Sequence, residues 1–163
     1  MKTIFTILVS APFISFSQLI KSNQVDPFSH EKRIVTQDVQ VGPGFDLKRE
    51  TVDEIAYNTI DNKIFIVLWG DSRTSGLILQ DDIAVLVTEK DTISVKFAGF
   101  RRSSIYTLDG YVIKKEDVAK LSKSKLLAIR RYTSTSVFEL PIKERFQGNL
   151  MKLSKALLEE MNK

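Results

Sequence analysis

The segment Ile66–Gly76 is the part of the chain in which residue types and spacing come closest to an enzyme site. An apolar run ends at Trp69, and Gly-Asp-Ser follows at residues 70–72 before a loop of small residues. A serine at the end of a strand can attack an ester carbonyl if a neighbouring base takes its proton. The only histidine in the chain is His30, which precedes Ser72 by more than forty positions in the sequence.

This block resembles the nucleophile motif of the GDS-type (SGNH) esterases, in which the serine after Gly-Asp attacks the ester. That family supplies its histidine from an Asp-x-x-His block near the C-terminus, and no such block follows Gly76. The Gly-x-Asn-Asp block that helps to stabilise the oxyanion in the family is also missing. We therefore predict no catalytic residues. A small secreted hydrolase that uses Ser72 is kept as the alternative function.

Metal chemistry finds few ligands in this chain. One histidine and no cysteine exclude a zinc site built on imidazole or thiolate groups. The adjacent carboxylates Asp53-Glu54 and Asp81-Asp82 diverge in direction if they lie on extended backbone. We predict no metal site and no cofactor. A hard-cation site made from these carboxylates and backbone carbonyls is the alternative.

Charge is divided unevenly along the chain, although the net charge is only +4. Residues 1–95 contain 9 Lys/Arg against 13 Asp/Glu, a balance of −4. Residues 96–163 contain 15 Lys/Arg against 7 Asp/Glu, a balance of +8. Such an asymmetry can produce a basic face that attracts anionic partners. The alternative is a solvated surface that only keeps the protein soluble.

The densest positive charges of the second half are two arginine doublets. We predict that Arg101, Arg102, Arg130 and Arg131 bind an anionic group, because the planar guanidinium suits carboxylates and phosphates. Aromatic residues do not interleave with the doublets as a base-stacking platform would require, and we predict no nucleic-acid partner.

The N-terminus has the pattern of a secretion signal. Lys2 precedes an uncharged, almost wholly apolar run of 12 residues, Thr3–Ile14. A transmembrane helix needs roughly 20 apolar residues, so this run is too short to span a membrane. Small residues flank Phe16 at the positions that a signal peptidase reads. We predict a signal peptide at residues 1–17 and export to the periplasm or the medium, with no transmembrane segment after cleavage. A buried N-terminal element and a retained anchor are the alternatives.

Hydrophobic patterns in the middle of the chain predict strands. Residues 18–30 show little periodicity and predict a flexible lead-in, followed by a single domain at residues 31–163. Ile64–Trp69 is short, apolar and rich in β-branched residues, which favours a strand covered on both faces. Ile83–Val87 and Ile93–Phe97 predict a hairpin.

The last third of the chain predicts two helices and two more strands. A short helix is expected at Lys115–Ser122, with strands at Leu126–Thr133 and Val137–Ile142. A long helix is expected at Lys143–Met161, because apolar residues from Phe146 onward recur at spacings of four, three, four and four. The fold class is therefore α+β, a mainly antiparallel sheet with a short helix and a long C-terminal helix packed on it.

Residues 83–163 are similar to a diffuse group of small secreted bacterial proteins of unknown function. The similarity lies in the hairpin, in Tyr111-Val112-Ile113 before the short helix, and in Ala128–Tyr132 before the last strand and helix. It implies an exported α+β module and brings no catalytic residues. Together these observations predict a non-enzymatic exported module that binds a protein or an anionic component of the cell envelope.

Overall fold

The computed structural model describes residues 16–25, 27, 30–42, 52–71, 83–102, 106–132 and 137–163, and within these ranges ten strands form one sheet. In chain order the strands are β1 (Ile20–Val25), β2 (Lys32–Thr36), β3 (Val39–Gln40), β4 (Val52–Ile60), β5 (Lys63–Asp71), β6 (Ile83–Thr88), β7 (Thr92–Arg102), β8 (Tyr106–Ile113), β9 (Leu126–Tyr132) and β10 (Val137–Pro141). A 3₁₀-helix covers Phe16–Leu19, and the α-helices are α1 (Lys115–Leu121), α2 (Glu144–Gln147) and α3 (Asn149–Met161).

Neighbouring strands of the sheet are antiparallel, which confirms the predicted fold class. The spatial order is β1-β2-β4-β5-β8-β7-β6-β9-β10, and β3 pairs with β4 beside β2. Helix α1 connects β8 to β9 and lets the chain pass over β7 and β6. The sheet edges in the described ranges are β1 and β10.

One face of the sheet packs on α1 and α3, and we call it the inner face. Ile64, Ile66 and Leu68 of β5 lie on it and are almost fully buried in the same core as Leu153 of α3. Alternate residues of a strand point to opposite faces, so Phe65, Val67 and Trp69 lie on the outer face. They are half-buried. The predicted strand is therefore confirmed, but its two faces differ: one is sealed and the other is only partly covered.

The turn between β4 and β5 shows why these two strands form a tight hairpin. Asp61 and Asn62 both have positive φ, 51° and 58°. Two consecutive residues of this kind make a type I′ turn, whose twist matches the strands on either side. Asn and Asp adopt this conformation more readily than other residues that carry a side chain. The hairpin closes at the Ile60–Lys63 pair.

The N-terminal segment differs from the flexible lead-in predicted at residues 18–30. Ile20–Val25 form strand β1, which pairs with β2. Leu19 and Ile20 pack against the core, and the Leu19 carbonyl accepts a hydrogen bond from Gln37 N at 2.8 Å. The sequence did not predict this strand because Ser22 and Asn23 are polar. An edge strand with one solvent-exposed face needs few apolar residues.

The C-terminal helix has the predicted course with a break at Gly148. The stripe of Phe146, Leu150, Leu153 and Leu157 is buried against the sheet, as the spacing predicts. Gly148 separates α2 from α3, although its own dihedral angles, φ −82° and ψ −8°, are those of a right-handed helix. Glycine weakens a helix interior by about 1 kcal/mol relative to alanine, which explains the interruption at this position.

Strand β8 is another element that the sequence patterns did not predict. Asp109 and Gly110 interrupt its apolar residues, and both are unfavourable in strands. The strand is nevertheless central, because it pairs with β5 on one side and β7 on the other. A bulge between Phe97 and Gly99 of β7 faces it. Gly99 has φ 156°, a conformation that side chains disfavour.

Candidate functional site

Arg131 lies in the interior of the protein, which corrects its predicted role in surface binding. Its side chain is 2% exposed, and its Nη2 donates a hydrogen bond to Oδ2 of Asp109, which is 1% exposed. On the neighbouring strand β6 it faces Ala84, which is fully buried. A guanidinium in this position cannot reach a partner outside the protein.

The contact between Arg131 and Asp109 also shows how strongly the sheet curls. Arg131 is on β9 and Asp109 is on β8, with β6 and β7 between them. Arg131 is level with Ile113 across the strands, so three strand spacings and a stagger of four residues would separate it from Asp109 by about 19 Å in a flat sheet. Direct contact therefore requires the inner face to be concave around the pair. This pair is a structural element of the core.

Arg130 lies on the outer face, and it is exposed but engaged in an ion pair. Its Nε donates to Oε2 of Glu139 at 2.6 Å, and the two residues are direct cross-strand partners on β9 and β10. The hydrogen bond and the charge of Glu139 raise the pKa of Arg130 above its usual value. A ligand carboxylate would have to compete with Glu139 for this guanidinium.

Arg101 and Arg102 occupy the last two positions of β7, opposite Leu108 and Thr107 of β8. Their side chains lie outside the described part of the structure. Arg130 and Arg131 therefore do not form one basic surface, because they point to opposite faces of the sheet and pair with Glu139 and Asp109 respectively. The prediction that four arginines act together is corrected for Arg131.

The exposed stripe of the C-terminal helices carries three cations that form no ion pair within the described ranges. Lys152 and Lys155 are exposed on α3, three residues apart, and are therefore neighbours on one side of the helix. Within the described ranges neither has an ion-pair partner. Arg145 precedes Lys152 by seven residues, close to two helical turns, which places it on the same side. We call Arg145, Lys152 and Lys155 the cationic helix face.

Local geometry fixes the two ends of this face. The Arg145 guanidinium lies 4.5 Å from the centre of the Phe146 ring, a cation–π contact that leaves its charge without a carboxylate. Exposed Glu159 follows Lys155 by one turn and ends the face on its C-terminal side. This face was not predicted from the sequence, because the arginine doublets have the higher local density of positive charge. The signal was present in Lys152 and Lys155, which fall between the buried positions of the leucine stripe.

The chain's only histidine lies far from the end of the strand that precedes Ser72. Strand β2 runs antiparallel to β4, and β4 antiparallel to β5, so His30, two residues before β2, is near the Lys63 end of β5. Asp71 ends β5 eight residues after Lys63, about 27 Å along the strand. Ser72 itself, which lies outside the described residues, directly follows Asp71 in the chain. His30 and the end of β5 that leads to Ser72 therefore lie at opposite ends of the strand.

The described residues contain no grouped metal ligands and no membrane-spanning helix. In the described part of the chain, no three His, Cys, Asp or Glu residues are grouped so that they could hold a metal ion. The carboxylates Asp81-Asp82 and the loop from Ser72 to Gly76 lie outside that part. None of the helices in the described ranges has the length and apolar character needed to cross a membrane.

Comparison with known proteins yields no relative: no protein-family model, no curated protein and no solved structure matches the chain. The similarity of residues 83–163 to small secreted bacterial proteins stays a prediction.

Proposed function

We propose that the protein is an exported, non-enzymatic module that binds an anionic component of the cell envelope through the cationic helix face. The observation that carries the proposal is the exposed row Arg145, Lys152 and Lys155, without carboxylate partners in the described ranges. Acidic proteins present the same carboxylate chemistry and are the second class of partner.

The cost of breaking an existing ion pair favours this face over Arg130 and Arg131. A cation that already pairs with a carboxylate must give up that contact to bind a ligand, which offsets most of the gain. Lys152 and Lys155 lose only hydration. Their charges reinforce one another at a distance because they extend from one rigid helix that is packed on the sheet along the leucine stripe.

The export part of the proposal depends on residues 1–17, of which 1–15 lie outside the described part. Cleavage after Ser17 would divide the 3₁₀-helix Phe16–Leu19, but Leu19, which packs on the core, would stay in the mature chain. Removal of residues 1–17 would therefore leave β1 and its contacts intact. Intact-mass analysis of the protein from its native host should give a chain that begins at Gln18. A full-length protein recovered from the membrane fraction would contradict export with cleavage.

The binding part is tested by titrating the purified mature protein with vesicles of phosphatidylglycerol and phosphatidylcholine, with pure phosphatidylcholine vesicles as the control. We expect binding to the anionic vesicles alone at low and physiological ionic strength. Binding should disappear at about 1 M salt, where the Debye length is about 3 Å. Binding to polyglutamate without binding to vesicles would identify an acidic protein as the partner class.

Two results would contradict the proposal. One is equal binding to anionic and neutral vesicles with no dependence on salt. The other is hydrolysis of an activated ester such as p-nitrophenyl acetate that Ser72→Ala abolishes while Ser75→Ala does not. The second result would establish the alternative of a small secreted hydrolase.

A further inference from the structure

A separate cleft opens where the β4–β5 hairpin approaches the C-terminal end of α3. Its volume is about 150 Å³, and its apolar wall is formed by Ile34, Ile64 and Met161. Ile34 and Ile64 are almost fully buried and belong to the core, so this wall is rigid. Met161 is the last residue of α3, and its unbranched side chain adapts to the shape of a ligand.

Two lysines line the same cleft, Lys32 of β2 and Lys63 of β5. Lys32 donates one hydrogen bond, at 2.8 Å, to the carbonyl of Glu160 and so satisfies a backbone group at the end of α3. An ammonium group has three donors, so Lys32 retains two. Lys63 is exposed and has no ion-pair partner in the described ranges. The cleft therefore combines an apolar wall with two positive charges.

The remaining polar groups restrict what the cleft can recognise. The Thr59 hydroxyl accepts from Ile34 N at 2.7 Å and donates to the Lys32 carbonyl at 3.4 Å, so its proton is already used. The Asn62 amide lines the cleft from the turn, where positive φ holds its backbone. It adds donors to those of the lysines. The polar side of the cleft consequently presents mainly donors, which suit a carboxylate.

The carboxylate at the C-terminal end of α3, that of Glu160, forms hydrogen bonds with groups outside the cleft. The Glu160 carboxylate accepts hydrogen bonds from Lys163 and Asn23, and these contacts lower its pKa. The carbonyls at the end of α3 carry partial negative charge, which opposes an anion there. Lys32 covers one of those carbonyls directly. The charge of Lys32 also lowers the pKa of Glu160, so Lys63 supplies the positive charge that no carboxylate in the described ranges already holds.

Size decides the class of ligand. An apolar cavity of about 150 Å³ holds a molecule as large as benzene, whereas pockets for drug-sized ligands are larger than about 300 Å³. A four- or five-carbon chain with a carboxylate is about as large as benzene and therefore fits this cleft.

We propose that this cleft binds a carboxylate carried on a short branched aliphatic group. A free branched acid and the C-terminal leucine of a peptide share that chemistry. The aliphatic part would contact Ile34, Ile64 and Met161, and the carboxylate would accept hydrogen bonds from Lys32 and Lys63. The inference does not require the cationic helix face, because the two surfaces have no residue in common.

The test uses ¹H–¹⁵N NMR titration of the mature protein with isovalerate, and in a second arm with N-acetyl-leucine. We expect saturable shifts of the Asn62, Lys63 and Ile64 amides, with a Kd in the millimolar range because a ligand of about seven heavy atoms has little binding energy. Tighter binding of N-acetyl-leucine identifies a peptide terminus as the ligand source, and tighter binding of isovalerate identifies a free acid. Isovaleramide and N-acetyl-leucinamide are the matched uncharged controls.

Variants connect the effect to the cleft. Lys63→Gln removes an exposed charge without disturbing the core. It should weaken binding of the two carboxylates about tenfold and leave the binding of isovaleramide and N-acetyl-leucinamide unchanged. Lys21→Gln, an exposed lysine of β1 outside the cleft, should have no effect. Lys32→Gln should also weaken binding, but it removes a contact to α3, so Lys63→Gln is the decisive variant.

Two outcomes would overturn the proposal: amides that bind as tightly as the acids, or an unchanged Kd in Lys63→Gln. Absence of any saturable shift at Asn62–Ile64 would overturn it as well. Binding of the acids by a protein that ignores anionic vesicles would contradict the proposed function and leave this site standing. Binding to anionic vesicles without binding of the acids would support the proposed function and overturn this site.

Discussion

Consecutive residues of a strand lie on the two faces of the sheet and differ in burial. On β9, Arg131 is buried on the inner face beside Asp109, while Arg130 is exposed on the outer face beside Glu139. On β5, Ile66 is fully buried and Val67 is only half-buried. A pair of like residues in a strand is therefore two separate features with different environments. A charge doublet predicts a basic patch on a helix or loop, but not on a strand whose inner face is sealed.

The energetic consequences of the two ion pairs differ for the same reason. Exposed pairs contribute little, since water and salt screen the charges. Removing one partner of a buried pair leaves an uncompensated charge in a medium of low dielectric constant and typically costs 3–5 kcal/mol. Mutations at neighbouring positions should therefore differ sharply, and these differences are the tests of the comparison.

The largest difference is expected at Ile66 and Val67. Ile66→Asp places a lone carboxylate in the core at a cost of several kcal/mol, which is comparable to the stability of such a domain. It should unfold the protein. Val67→Asp should lower the free energy of unfolding by about 1–2 kcal/mol and leave the fold intact. Circular dichroism and urea titration check both variants. If both unfold the domain, the outer face is as well covered as the inner one.

The next difference is expected at Arg131 and Arg130. Arg131→Gln leaves the Asp109 carboxylate buried without its cation, and urea titration should show a loss of about 3–5 kcal/mol. Arg130→Gln is the matched control at the adjacent position, and its unfolding midpoint should stay at that of the parent.

A double variant separates the charge from the packing. Asp109→Leu with Arg131→Met replaces the pair by apolar groups and should recover most of the stability that Arg131→Gln loses. A double variant as unstable as Arg131→Gln would show that the site depends on shape and not on an uncompensated charge.

The third and smaller effect concerns Tyr57 of β4, on the inner face. Its hydroxyl hydrogen-bonds with Ser154 Oγ of α3 at 2.9 Å, and Ser154 also donates to the Leu150 carbonyl at 2.8 Å. Burial raises the pKa of Tyr57 well above its ordinary value, while the hydrogen bond with Ser154 opposes that rise. Tyr57→Phe should cost about 1 kcal/mol at neutral pH, because Ser154 keeps its other partner.

The same group predicts a pH dependence with a definite sign. Above pH 10 the unfolded chain releases the Tyr57 proton and the folded protein retains it, so stability falls as pH rises, by at most about 1.4 kcal/mol per pH unit. Tyr57→Phe should reduce this slope. Equal slopes for the parent and Tyr57→Phe would contradict burial of the neutral phenol.

Much of the fold was predictable from local patterns. The β6–β7 hairpin, the strands β9 and β10 and helix α1 lie where alternation and helical spacing place them, because each element has an apolar side of its own. Strand β8 was not predictable, because Asp109 is favourable there only when Arg131, twenty-two residues later, reaches it. Strand β1 was missed because an edge strand is mostly wet. A local pattern carries no information about a partner distant in sequence.

The candidate site was less predictable for a related reason. Sequence shows how many arginines are present but not which of them a carboxylate already holds. Arg130 and Arg131 were the densest charges, and both are paired. Lys152 and Lys155 are sparser, yet the helical period places them on the solvent side and keeps them there.

The most direct test of the cationic helix face compares two charge-matched variants in one binding assay. Arg145→Gln/Lys152→Gln/Lys155→Gln removes three charges from the helices, and Arg101→Gln/Arg102→Gln/Arg130→Gln removes three from the sheet. Both are titrated with phosphatidylglycerol vesicles at physiological ionic strength, after circular dichroism has shown that they are folded. The account predicts that the helix variant binds at least tenfold more weakly than the parent, and that the sheet variant binds within about twofold of it. Loss of binding in the sheet variant, with the helix variant unchanged, would contradict it.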